Sequence, residues 1–102
     1  DEIAQRRSVA IRCQLHLTVA AAPSNAAWQA RWEQAVTRMG LPAFRLLSGA
    51  GHDAMKLHQV LPQAMLFVRG GNAGISHNPL ETITNDDAQR AVTAFMNLLD
   101  TL

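Results

Sequence analysis

From Val9 to Val19 the chain reads VAIRCQLHLTV, with an apolar side chain at every odd position and mostly polar ones between. Alternation with a period of two is the signature of a strand whose successive side chains leave opposite faces, so the stretch predicts a strand with one buried and one wet face. The following AAAPSNAAW brings Pro23 and a Ser24-Asn25 pair, the usual punctuation before a helix. Trp28, Trp32, Ala35, Val36 and Met39 then fall on one helical face, and Gly40 and Pro42 end the helix. AFRLL (43–47) predicts a short strand, and a short helix is expected from Asp53 to about Val60, stopped by Leu61-Pro62. AMLFV (64–68) is apolar throughout, as in a strand covered on both faces. Thr84 or Asn85 caps a last helix with Asp86 and Asp87 in its first turn and a buried stripe of Val92, Phe95, Met96, Leu99 and Leu102.

The order strand, helix, strand, short helix, strand, helix is that of an α/β layered fold. Sites in such folds collect on loops leaving the carboxyl ends of strands, and both SGAGHDA and GGNAGISHNPLE (70–81) are loops of that kind. The wet-faced first strand differs from the later buried run, and AAAPSN reads as a junction. Residues 1 to about 22 are therefore expected in a different layer from the remainder.

Composition narrows the function. The 102 residues are one domain's worth, a compact body or a piece of one. Nine basic residues against eight acidic ones leave no cationic surplus to follow nucleic-acid phosphates or hold an anionic membrane. Neither partner is expected. The single Cys13 has no intrachain partner, and its place in the alternating pattern predicts a small buried side chain in a reducing compartment. With no signal peptide and no apolar run near the ~20 residues of a membrane helix, the chain reads as cytoplasmic.

Four histidines carry the remaining chemistry. His16 lies on the polar face of its strand and reads as solvated. His58 sits near the end of a short helix, where an imidazole complements the dipole. His52 follows Gly49-Ala50-Gly51, a backbone that lets a ligand come close, and precedes Asp53, a helix N-cap by type. His77 stands between a glycine-rich turn and Asn78-Pro79, open to either a turn-shaping or a chemical role. No HExxH or CxxC spacing is present, so local spacing alone closes no metal site.

SGAGHDAM followed by MLFVRGGNAGISHNPLE resembles the C-terminal part of the amidase family of carbamoylases and allantoate amidohydrolases, allied to the di-metal aminoacylases and carboxypeptidases. The resemblance runs through most of residues 44–102. It implies the C-terminal portion of a layered α/β catalytic domain (23–102), preceded by the end of an inserted dimerisation domain (1–22). It further implies that His77 is a ligand to one of two divalent ions, Zn²⁺ or Mn²⁺, and that Gly51 and His52 contact substrate. Glu81 reads as a support near the metal loop. The family's His-x-Asp ligands and its Glu-Glu pair with the general base have no counterpart here, so no catalytic residue is assigned and the chain alone is expected to be inactive. The complete enzyme would be a homodimer hydrolysing a small ureido acid, allantoate or an N-carbamoyl-L-amino acid, to the free amine, carbon dioxide and ammonia. An aminoacylase or peptidase of the same superfamily, whose members more often carry threonine or serine in place of GHDA, and a non-catalytic binding module are the alternatives.

Overall fold

Helices form wherever this chain can close its own backbone hydrogen bonds. The computed structural model describes residues 2–102 and contains α1 (Glu2–Arg7), α2 (Ala26–Thr37), α3 (Ala54–Leu57), a 3-10 turn at Asn72–Gly74, and α4 (Asn85–Leu99). Asp1, the first residue of the expected 1–22 segment, lies outside the described residues. α2 starts where Asn25 Oδ1 accepts the backbone N–H of Trp28 at 3.1 Å, satisfying one of the orphan donors of the first turn. It ends at a turn closed by Gly40, whose φ of +70° suits a residue without a Cβ. α3 is a single turn, shorter than the expected 53–60, and continues only as hydrogen-bonded turns to Leu61. Asp53 occupies its N-cap position but makes no side-chain cap.

The core is the contact of α2 with α4. Ala35, Ala94 and Leu98 are buried there, two small side chains and one leucine between the helices. The Asn97 amide donates to the Ala35 carbonyl at 3.2 Å, and the Trp32 and Phe95 rings meet edge to face with centroids 5.6 Å apart. The expected α2 face is the one turned inward: Trp28, Trp32, Val36 and Met39 are half-buried around Ala35. α4 corrects its expectation. Val92, Phe95, Met96, Leu99 and Leu102 are all exposed, while Asp87, Ala94 and Leu98 are buried. At about 100° per residue the expected stripe lies roughly a third of a turn round the helix from the Asp87, Ala94 and Leu98 line that meets α2. The expected apolar side chains are left on the flank.

The three expected strands at 9–19, 43–47 and 64–68 pair with nothing among the described residues. A strand's backbone groups need a neighbouring strand, and none is brought alongside. The side chains report the same: Leu15 is 82% exposed and Leu47 fully so. Cys13, expected buried, is exposed as well, because a strand's inner face exists only when a second layer covers it. The chain is also not the compact body its length allows. Its radius of gyration is 18.9 Å and it extends over 60 × 33 × 20 Å, against about 13 Å for a compact chain of this length. Its accessible surface is 8547 Å², where a folded monomer of this mass exposes about 5,700 Å².

Candidate functional site

Two loops carry the candidate residues. The first, 48–53, joins the unpaired AFRLL segment to α3. Ser48 Oγ donates to the Ala50 carbonyl at 3.2 Å and lies 3.0 Å from His52 Nε2. A serine hydroxyl has one proton for these two contacts, so it either donates to Ala50 and accepts from Nε2–H or donates to Nε2 itself. Gly51 and His52 are both exposed. A Cβ on Gly51 would meet Met55 Sδ at 3.9 Å, an ordinary contact, so the backbone at this position lies open.

The second loop, 70–82, is held by its own hydrogen bonds. Gly71 N–H donates to the Thr82 carbonyl at 2.8 Å and closes the base of the loop. A Cβ on Gly71 would run into Thr82 Oγ1, so glycine makes this close approach possible. Inside the loop Asn72, Ala73 and Gly74 take φ of 48°, 60° and 73°, and His77 takes 55°. Non-glycine residues seldom adopt this region, and such positions gather where a surrounding network over-determines the backbone. Here the network is explicit: Asn72 Nδ2 donates to the Leu80 carbonyl at 2.6 Å, Asn78 Oδ1 accepts from Leu80 N–H at 2.9 Å, and Glu81 Oε2 accepts from His77 N–H at 2.8 Å.

A third feature ties the end of the 64–68 run to α4. Thr84 Oγ1 caps the helix by accepting Asp87 N–H at 3.1 Å and donates its own proton to Asp87 Oδ2 at 2.7 Å. Arg69 grips Asp87 Oδ1 through Nε at 2.8 Å and Nη2 at 2.6 Å. The Thr84 hydroxyl first and the Arg69 guanidinium second hold the Asp87 carboxyl below the usual carboxylate range. On the surface Glu33, in contact with Arg45, is lowered by that hydrogen bond.

An open gap of about 1330 Å³ separates the two loops. It exceeds the ~300–1,000 Å³ of a small-molecule site, and apolar residues of the unpaired segments, such as Phe44, Leu46, Leu66 and Phe67, line it with Gly51 and His52. Gly70, Ala73 and Gly74 of the second loop reach its wall, but His77 does not. It is an open space between unpaired segments rather than a ligand pocket. The structure thus brings the 48–53 loop and the glycine turn to one gap and leaves His77 outside it. Among the described residues no three His, Cys, Asp or Glu side chains converge. His16 is exposed as expected, and His58 occupies the C-cap of α3. Ser48, four residues before His52, escaped the sequence reading because it carries no recognised signal. Thr84, one of the two expected caps, does cap α4, while the Arg69 partner of Asp87 was not anticipated.

A family model described as "Peptidase family M20/M25/M40" matches residues 8–101. The chain is 43% identical over 65 residues to a "Probable allantoate deiminase" of Oryza sativa subsp. japonica, covering 64% of this chain and 13% of that protein. It is 44% identical over 55 residues to an "N-carbamoyl-L-amino acid amidohydrolase" of Geobacillus stearothermophilus, covering 54% of this chain and 13% of that protein. With an "Allantoate deiminase" of Arabidopsis thaliana the identity is 46% over 55 residues, 54% of this chain and 10% of the relative. The matched segment therefore spans about an eighth of these relatives' length or less. No solved structure matches the chain significantly.

Proposed function

The chain belongs to peptidase family M20/M25/M40, and from that premise we propose that it is the C-terminal part of a metal-dependent amidohydrolase cleaving a C–N bond of a small ureido acid, allantoate or an N-carbamoyl-L-amino acid. The observation that carries this reading is that relatives from two plants and a bacterium, at 43–46% identity, are all named for that chemistry.

His77 supplies one ligand to a centre of two divalent ions, Zn²⁺ or Mn²⁺. Its fit rests on donor chemistry: among the described residues no hydrogen bond occupies its ring, so a neutral imidazole nitrogen is free to face an ion. As no second and third donor converge with it among the described residues, the remaining ligands and the general-base glutamate belong to parts of the enzyme outside this segment. Bound divalent metal supplies Lewis acidity and a water of lowered pKa, the nucleophile that a ureido carbonyl requires. Gly51 leaves backbone open for substrate, and His52, oriented by Ser48, presents its imidazole to it. In the complete enzyme the unpaired apolar segments join a layered α/β sheet within 23–102, residues 1–22 end an inserted dimerisation domain, and the protein is a cytoplasmic homodimer. No helix is long and apolar enough to cross a membrane among the described residues.

The test is made on the enzyme that carries this segment. His77→Ala should remove most turnover and one metal equivalent while leaving the melting temperature of the metal-free protein nearly unchanged, since an exposed loop residue contributes little to a core. Unchanged turnover with full metal would refute the assignment. A second reading, an aminoacylase or peptidase, is favoured by the family's description. Release of ammonia from allantoate or N-carbamoyl amino acids, with no cleavage of N-acyl amino acids or dipeptides, separates the two.

A further inference from the structure

Resting on the reading of His77 as a metal ligand, we propose that Glu81 is the positioning residue that fixes His77 for the ion by capturing its backbone N–H. His77 sits at φ 55°, in the left-handed region that glycine enters freely and that other residues, His, Asn and Asp less rarely than most, occupy at a cost. Something must hold it there. Glu81 Oε2 accepts the His77 N–H at 2.8 Å, a bond that reaches back across the Asn78-Pro79 turn. Glu81 is itself anchored: its own N–H donates to the Asn78 carbonyl at 2.9 Å. The neighbouring Leu80 is tied by its carbonyl to Asn72 Nδ2 and by its N–H to Asn78 Oδ1, at 2.6 and 2.9 Å. The acceptor is thus part of a turn fixed at both ends, whereas the His77 ring makes no bond of its own among the described residues.

The backbone is consequently what aims the imidazole. If the Glu81 oxygen is removed, His77 is free to return to negative φ, which swings its Cα–Cβ bond and with it both ring nitrogens. A metal–nitrogen bond tolerates displacements of only ~0.2 Å, so a ligand freed in this way loses affinity even though no donor atom has been deleted.

In the enzyme that carries this segment, Zn²⁺ affinity is measured by competition with a chromophoric chelator for the parent, Glu81→Ala, Glu81→Gln and His77→Ala. Amide hydrogen exchange of the 75–82 peptide in the metal-free protein is measured alongside. Glu81→Ala should weaken one Zn²⁺ by about 10–100-fold, the range seen when groups supporting a ligand are removed, and should speed exchange in that peptide while the melting temperature holds. Glu81→Gln keeps an oxygen in the same place and should restore most of the affinity and the protection. Glu81→Ala with parental affinity, beside a His77→Ala that loses one metal, overturns the positioning role and leaves the ligand assignment standing. Glu81→Gln as poor as Glu81→Ala overturns it too, because the charge rather than the acceptor would then matter. His77→Ala with both metals at parental affinity overturns the ligand assignment and this inference with it.

Discussion

The Ser48–His52 contact is the smallest unit with a chemical consequence, because it orients a ring. The hydroxyl lies 3.0 Å from His52 Nε2 and holds that side of the imidazole, which leaves the Nδ1 side toward the gap without a partner among the described residues. Ser48→Ala removes that contact and lets the ring rotate. In the full enzyme it should lower kcat/KM by about fivefold, the worth of one hydrogen bond near 1 kcal/mol. His52→Ala should cost more, and neither should change metal content; a lost metal equivalent in His52→Ala would move the residue into the ligand set. The sequence of this loop disclosed its histidine, since a glycine-flanked imidazole at a strand end is conspicuous. It did not disclose the serine that orients it, because a hydroxyl four residues away is an ordinary coil residue until the backbone folds it back. The same holds for His77, whose type was legible but whose left-handed backbone, held by Glu81, is a property of the loop's closed geometry.

At the scale of elements, what was legible is what is local. α2 and α4 lie close to where their caps and periodicity place them, because Asn25 and Thr84 satisfy orphan donors within the same few residues. The strands were equally clear as patterns and are absent as structure, since their hydrogen bonds depend on partners distant in sequence. The inward face of α4 was misassigned for a related reason: hydrophobicity ranks Phe95 and Met96 above Ala94, but which face turns inward is set by the docking of α4 on α2, which buries Ala94 and Leu98. The Thr84–Asp87–Arg69 cluster makes α4 testable. Thr84→Ala removes the cap and should cost about 1 kcal/mol of helix stability, read as a lower melting temperature or frayed amides at 85–88. Asp87 also gives α4 a pH dependence. Its pKa is lowered from 3.8 in the folded state by Thr84 and Arg69, so its contribution is full above the ordinary value and is lost as the pH falls through the lowered one. Acidification from about pH 4 downward should therefore destabilise the parent more than Asp87→Asn, which has no such proton to take up. Parallel acid profiles for the two proteins would show that the cluster adds nothing to the helix.

Across the whole molecule the decisive quantity is surface that nothing covers. Among the described residues a single helix pair forms the core, while Leu15, Leu17, Phe44, Leu47 and Val60 are each more than three-quarters exposed and the chain stretches over 60 Å. Burial of apolar area is the main favourable term in folding, and a chain that leaves this much of it in water has a strong drive to find it elsewhere. The 102-residue chain by itself should therefore self-associate, with apparent mass in sedimentation rising with concentration and falling when mild denaturant is added. Metal should not rescue it. Ion binding stabilises a fold only where several deprotonated ligands converge, and here one matched imidazole stands alone among the described residues. Addition of Zn²⁺ or Mn²⁺ should leave the calorimetric transition nearly in place, and ammonia release from allantoate should be undetectable. Tight one-to-one metal binding with a raised transition, or turnover by the isolated chain, would mean that the ligands and the base lie within these residues after all. A monodisperse monomer would mean that the exposed segments close on one another in solution into a layer the extended structure does not contain.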